Sequence, residues 1–285
     1  MESANLTNLS RPIFVVGSQG QLGTTLANSL RNLAPSFAEK NFHAIAFNDS
    51  PDFPQMIADQ ISSYDVFDMI IATGLTNPTL DPKSLEKANL LQVQEIISHC
   101  HGPQRRFITL GSIFEKFPEV CQQNAYLNSK QKLSQWVASQ NTFNIRHLRL
   151  HTIYGGERKH LKEYMFLGQI AKALTSGQEF KMSSGEQLRE YHHVHDVSQG
   201  ILAGLSKPWN KSQICEVNSG KPLKLKDIAT ELFKTYGRLE SLHIGAIDSA
   251  KGENMTQVFL PDFSYAHFHF RDAISGIKEW FNQIL

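Results

Sequence analysis

The feature that most constrains this chain is the passage from a short apolar run, through a glycine-spaced turn, into an amphipathic segment. Pro12-Ile13-Phe14-Val15-Val16 is apolar without alternation, the pattern of a strand covered on both faces. It runs into Gly17-Ser18-Gln19-Gly20-Gln21-Leu22-Gly23, after which Leu22, Leu26, Leu30 and Leu33 recur at helical spacing. A dinucleotide phosphate site needs these parts in this order. Glycine permits the tight turn and close backbone approach, and the helix start offers N–H groups and a positive dipole end. The spacing is Gly-x-x-Gly-x-x-Gly, and glycines also serve ordinary turns, so their position between first strand and first helix carries the assignment. The residues expected to meet a cofactor here are Gly17, Gln19, Gly20, Gln21, Leu22 and Gly23.

The alternation continues with strands expected at 43–47, 67–72, 106–110 and 145–150, and helices at 84–99 and 125–139. This predicts an α/β fold, a doubly wound parallel sheet of the Rossmann type. Beyond Tyr154-Gly155-Gly156 the order is less regular. Helices over 161–176, 225–236 and 272–285, with short strands between them, predict a smaller α/β substrate-binding part. No Pro- or Ser-rich linker separates the two. The expected division is a dinucleotide-binding domain over 1–155, to which 189–205 returns, and a substrate-binding part over 156–188 and 206–285.

Composition narrows the function classes. Lys plus Arg number 28 against 27 Asp plus Glu, a net charge of +1, which gives no bulk electrostatic case for nucleic acid. A local basic pocket for a small phosphate-bearing ligand stays open. Of the 285 residues 41% are hydrophobic, enough for a large core. Cys100, Cys121 and Cys215 are widely spaced and form no metal-type pair, so buried reduced thiols are expected. No apolar run approaches a membrane span and the segment 1–11 is polar, so no membrane partner and cytoplasmic residence are expected.

The second strand is followed by Asn48-Asp49-Ser50. Asp49 could accept hydrogen bonds from adenosine ribose hydroxyls, which favours NAD over NADP, although the same three residues make an ordinary turn before Pro51. Tyr126 and Lys130 stand four apart in a helical pattern, hence on one face. A free phenol, with a pKa of about 10, is a poor base at neutral pH, and a neighbouring ammonium favours its ionised form. Such a pair is common on helix surfaces; here it follows a strand ending in Leu110-Gly111-Ser112. Ser112 therefore emerges at a carboxyl end, where open parallel sheets place their chemistry, and its hydroxyl could bind a reacting carbonyl oxygen.

Together, Gly17/Gly20/Gly23, Ser112, Tyr126 and Lys130 resemble the cofactor loop and catalytic triad of extended short-chain dehydrogenase/reductases, the NAD-dependent epimerase/dehydratase family. Ala72-Thr73-Gly74 is similar to the family's small-residue loop beside the cofactor. Asn89 falls where a helix asparagine supports the active site, and it is expected with Ser112, Thr152 and Arg189 among the substrate contacts. Leu148 to Gly155 resembles the family's Leu-Arg-x-x-Asn-x-Tyr-Gly segment, with Thr152 in place of asparagine. Arg189 to Val197 resembles its arginine-bearing strand, and Val217-Asn218-Ser219-Gly220 its late turn.

The resemblance implies an NAD- or NADP-dependent enzyme acting on a nucleotide-activated sugar. Tyr126 would be the proton donor, Ser112 the oxygen ligand and Lys130 the group that tunes Tyr126. The second half is most similar to nucleotide 4-keto-6-deoxyhexose reductases, the group that includes CDP-abequose synthase. A 4-epimerase uses the same triad, and a non-catalytic cofactor sensor is the rival from another class. Dehydratases of the family carry Asp-Glu directly after the serine or threonine; here those places are Ile113 and Phe114, and Glu115 comes one position late. Arg189 would hold the substrate diphosphate, or else pair at the surface with Glu186 or Glu190. His192, His193 and His195 lack accompanying ligands and read as polar strand positions, so no metal is expected. Phe263, Tyr265, Phe268 and Phe270 read as core near the last helix. A homodimer is expected through the helices 84–99 and 125–139, whose Leu90, Leu91, Val93, Leu133, Trp136 and Val137 would form the contact.

Overall fold

The computed structural model describes residues 9–209, 212–249, 256–262, 265 and 267–285; Phe263 and the Leu33 side chain lie outside them. Two compact units emerge. One comprises Met1–Leu150, Ser198–Val217 and Asp262–Phe268; the other comprises His151–Val197, Asn218–Pro261 and His269–Leu285. Relative to the expected division, 151–155 and 189–197 fall in the second unit, and 262–268 and 206–217 in the first. The reason for the last shift is a strand, Gln213–Val217, that pairs with residues 146–150 of the main sheet.

The first unit is built on β1 (Ile13–Val16), β2 (Phe42–Ile45), β3 (Val66–Ile71), β4 (Gln104–Ser112), β5 (Asn144–Leu150) and that later strand. All pairings are parallel, and the sheet order is Gln213–Val217, β5, β4, β3, β1, β2. Around it lie α1 (Gln21–Leu33), α2 (Pro35–Asn41), α3 (Phe53–Gln60), α4 (Pro82–Glu86), α5 (Gln92–Cys100), α6 (Pro118–Gln123) and α7 (Ala125–Ser139). Every residue of β1 is buried, as an apolar run without alternation requires. Phe14, Met69 and Phe107 from the sheet pack with Ile57, Ile97 and Val137 from helices in one continuous core. Each such side chain contributes about 1.5–3 kcal/mol relative to exposure.

The helix expected over 84–99 is not continuous. Its middle, Lys87–Leu91, is a π turn between α4 and α5. Such widened turns frequently mark functional positions, and this one contains Asn89. The apolar residues expected to make a dimer contact are spent inside the subunit. Leu90, Val93, Leu133 and Val137 belong to the core, Trp136 packs against it, and only Leu91 is exposed. All three cysteines are buried free thiols.

Arg146 of β5 is completely buried, its guanidinium 4.2 Å from the Trp209 ring centre and 5.0 Å from that of Tyr265. It donates to the carbonyls of Gly204 and Pro208. Tyr265 in turn donates to Ile201 O, and the Phe268 ring fills the space above Gly200. These two aromatics are therefore core, as expected, and they belong to the sheet unit.

The second unit joins short pairs: Thr152–Tyr154 with Tyr191–His193, Leu188–Arg189 with Leu223–Lys224, and Phe180–Met182 with Leu242–Ile244. Helices Phe166–Ser176, Leu225–Thr235 and Ala273–Ile284 close its core around Ile170, Phe233 and Phe281. The first of these starts five residues later than expected, because the Lys162 backbone folds against Gly168 so closely that no side chain would fit there. His193 ends its strand and His195 lies in the helix Val194–Leu205, so the two do not share a strand face, although their rings stack 5.3 Å apart.

Candidate active site

Three glycines shape the turn after β1. Gly17 has φ +85°, and a Cβ there would lie 2.9 Å from the Ala72 carbonyl and the Thr73 nitrogen. A Cβ on Gly23 would lie 2.1 Å from Gly17 O. Only glycine allows the turn to pack on the Ala72–Thr73 backbone while α1 starts against it. Gln19 and Gly20 are exposed, and Gly20 brings no side-chain cap to the first turn of α1. That leaves helix-start N–H groups for an anion. Leu22 is buried in the core, so what it can offer a ligand is its backbone.

Ala72 N binds Val16 O at 2.8 Å, placing the Ala72-Thr73-Gly74 loop beside the glycine turn. Thr73 Oγ1 is buried and has no hydrogen-bond partner, a polar atom that awaits a ligand. Next to β2, a cleft of about 800 Å³ is lined by Ile45, Phe47, Asp49, Phe53, Met56 and Gln60 among others. None of its described lining residues is basic. Asp49 is exposed beside the turn that Asn48 Oδ1 closes on Ser50 N at 2.8 Å. A glycine cradle, an uncapped helix start, an unpartnered threonine hydroxyl and an acidic cleft without cations fit a dinucleotide.

Ser112 ends β4 and Lys130 lies on α7, one helical turn beyond Tyr126. Lys130 Nζ donates to Leu110 O at 2.9 Å, which brings this helix and the carboxyl end of β4 together. Burial lowers the Lys130 pKa to about 8, with the Glu115 carboxylate pulling the other way. The ammonium form therefore still dominates at neutral pH. Ser112 Oγ accepts from Phe114 N at 3.3 Å, so its own proton is left to donate to an oxygen placed before it.

Behind the serine is a polar group the sequence reading did not foresee. Glu115 is buried and accepts from Ser112 N (3.1 Å), His147 Nε2 (2.9 Å) and Arg149 Nε (2.7 Å). Burial opposes its ionisation, yet His147 and Arg149 outweigh this and hold the carboxyl below its ordinary range. The available signal was Arg146-His147 and Arg149 inside an otherwise apolar strand, where charge needs a buried partner.

Asn89, expected to touch substrate, is completely buried and engaged elsewhere. Its Oδ1 accepts from Leu75 N at 3.0 Å, and its Nδ2 donates to Leu75 O at 2.9 Å and to Ser129 Oγ at 3.0 Å. Ser129 Oγ donates onward to Tyr126 O at 2.6 Å. Asn89 is thus a clamp between the loop after β3 and the helix bearing Tyr126, and not a substrate contact.

Thr152 and Arg189 lie in the second unit. Thr152 pairs with Tyr191 across a parallel register, and Arg189 Nη1 donates to Leu188 O at 2.8 Å. Of the two proposed surface partners, Glu186 binds Lys224 and Lys226, and Glu190 is buried. Glu190 accepts from Ser219 N (2.6 Å), Gly220 N (3.2 Å) and Ser219 Oγ (2.7 Å), with His192 Nε2 at 3.0 Å. Burial works against its charge, but these partners bring its pKa down to about 2. Among the described residues no cluster of His, Cys, Asp or Glu has the makings of a metal site, and no helix is long and apolar enough to cross a membrane.

Residues 13–218 match the model of the NAD dependent epimerase/dehydratase family, and the chain belongs to that family. Among solved structures it is similar to the ADP-L-glycero-D-manno-heptose-6-epimerase of Helicobacter pylori, with TM-score 0.73 and 19% identity over 99% of this chain and 98% of the other. The UDP-glucuronic acid 4-epimerase of Bacillus cereus, solved with UDP-glucuronic acid and NAD, gives TM-score 0.74 at 14% identity over 95% and 99%. The dTDP-glucose 4,6-dehydratase of Streptomyces venezuelae, solved with NAD, gives 0.72 at 15% over 95% and 97%. At these identities the likeness establishes the fold. A comparison with curated proteins gave no match.

Proposed function

We propose that this chain is an NAD-dependent oxidoreductase of nucleotide-activated sugars, and that it reduces the 4-keto group of a 6-deoxyhexose. The observation that carries the reading is the meeting of Ser112, Lys130 and the Tyr126 turn at the carboxyl end of β4, in the same unit as the glycine cradle. Gly17, Gly20 and Gly23 would hold the cofactor, which in its reduced form would supply the hydride for the carbonyl carbon. Ser112 donates a hydrogen bond to the carbonyl oxygen, and Tyr126 passes its phenolic proton to that oxygen as it gains charge, leaving an alcohol. The Lys130 ammonium stabilises the phenolate that remains. Asp49 and a cleft without basic lining favour NAD over its 2′-phosphorylated counterpart. In the second unit, Arg189 would fork onto the substrate diphosphate and Thr152 would line the substrate.

Dehydration is disfavoured. Ile113 and Phe114 carry no acid or base, and Glu115 is committed to Ser112 N, His147 and Arg149. A 4-epimerase is the second reading, supported by the two epimerases of the same fold. A homodimer, which the family resemblance implies, and cytoplasmic residence, expected from the polar segment 1–11 and the lack of a long apolar run, belong to the same proposal. The test is a panel of UDP-, CDP-, GDP- and dTDP-linked sugars and 4-keto sugars with NAD or NADH, followed by nicotinamide absorbance and product chromatography. Net NADH consumption with a 4-keto sugar supports the reductase. Interconversion without net redox change supports the epimerase, and no turnover of any member overturns both.

A further inference from the structure

We propose that Glu115 is a positioning residue of the active site, a buried carboxylate that locks the Ser112 turn and provides the counter-charge behind Lys130. The proposal rests on the roles given above to Ser112, Tyr126 and Lys130. Two elements converge on this one side chain, and a third holds its backbone and its arginine partner. From the end of β4, Ser112 N donates to it; from β5, His147 and Arg149 do so. From α7, Gln131 Nε2 donates to the Glu115 carbonyl at 2.9 Å, and Ser134 Oγ receives Arg149 Nη2 at 3.0 Å. The helix carrying Tyr126 and Lys130 is therefore fastened to the serine turn through the surroundings of Glu115.

Gly111 is part of the same device. A Cβ at this position would lie 2.1 Å from His147 Nε2 and 2.5 Å from Glu115 Oε2. The His147–Glu115 pair occupies the volume that a small hydroxyl residue would need just before the serine. His147 is itself completely buried, with Nδ1 2.9 Å from Thr109 Oγ1. Taking a carboxylate out of water is costly, and apolar residues replacing Glu115, His147 and Arg149 together could fill the space, so stability alone gives no reason for a charged group here.

The charged and titratable groups around the centre are few. Arg149 and His147 face Glu115 from β5, and Cys121 and Glu119 lie on α6. Lys130 lies on α7, and Glu216 of the edge strand engages Arg149 and Lys116. Burial already pulls Lys130 down to about 8, and Glu115 counteracts it. Without that negative charge, Lys130 loses its proton at lower pH, and the activity that depends on its ammonium falls off earlier on the alkaline side.

The test compares Glu115→Gln, Glu115→Asp and Tyr126→Phe with the unaltered chain, using the nucleotide sugar of highest turnover from the panel above. Thermal melting and NAD titration report folding and cofactor binding. Glu115→Gln should lower kcat about tenfold or more, leave KM and NAD binding within about twofold, and move the alkaline limb of the pH–rate profile down by roughly half a unit or more. Glu115→Asp keeps the charge but cannot reach all three donors, so kcat should fall with the limb in place. A Gln variant with unaltered kcat and limb overturns the proposal, as do equal losses in both variants with neither limb moved. Where the Gln variant does not melt cooperatively, the Asp variant decides: an unaltered kcat or a displaced limb overturns the proposal. Should Tyr126→Phe turn over normally, the reaction chemistry itself has failed. An inactive Tyr126→Phe beside a normal Glu115→Gln sinks only the positioning role.

Discussion

At the scale of single residues, the proposed chemistry depends on one phenolic hydroxyl. Tyr126→Phe keeps the ring and removes the proton donor, so turnover should drop about a hundredfold or more while NAD titration is unaltered. Arg189 offers the complementary measurement on the substrate side. A lost charge-assisted contact costs about 1.5–3 kcal/mol, so Arg189→Ala should weaken nucleoside diphosphate binding about tenfold or more and spare NAD. Calorimetry with UDP, CDP, GDP and dTDP checks this, and equal weakening of NAD would remove Arg189 from the substrate site.

At the scale of elements, the π turn at Lys87–Leu91 gives Asn89 a structural burden that can be weighed. Asn89→Ala strands the Leu75 N–H and C=O and deprives Ser129 of a donor. The expected loss is about 2–3 kcal/mol, a fall in Tm of about 3–5 °C by differential scanning calorimetry. The regular elements were readable because their signals are local: α1 and α7 form over 21–33 and 125–139, as the apolar spacing predicts. The π turn was not readable, since it depends on a loop 14 residues away binding the Asn89 amide. Likewise the Ser112, Tyr126 and Lys130 positions follow from strand end and helix period. The Glu115–His147–Arg149 group joins segments 32 and 34 residues apart, and no spacing rule announces it. Five of the six apolar side chains expected in a dimer contact lie elsewhere for a similar reason. An apolar helix face says that something covers it, and here the cover is the chain's own core.

At the scale of the whole molecule, acid should destabilise the fold in two stages. Burial, then the neighbouring Arg271, lowers the His193 pKa to about 4. The unfolded chain, with histidine near ~6.5, binds more protons between those values. Stability conferred by neutral His193 is thus present above about 6.5 and is lost as pH falls toward 4. Glu190, at about 2, works in the window below: its contribution is present above the unfolded carboxyl value of about 4.3 and is lost as pH falls toward 2. Denaturant melts from pH 7 to 3 should show a decline that begins near 6 and steepens below 4. His193→Gln should lessen the upper part of it, the remainder coming from His195 and His43, which burial also lowers.

The buried guanidinium of Arg146 also sets an order of events during synthesis. Its covers, Gly204, Pro208, Trp209 and Tyr265, leave the ribosome 58 to 119 residues after it, and the sheet's outermost strand arrives with them. Until then the nascent chain holds an almost complete nucleotide-binding half whose temporary edge strand contains a cation without its lid. A fragment ending at residue 155 should therefore stay dependent on chaperones and lack cooperative melting. The same fragment with residues 198–217 and 262–268 supplied through a short linker should regain it. In this chain the first domain to be made is among the last to be finished.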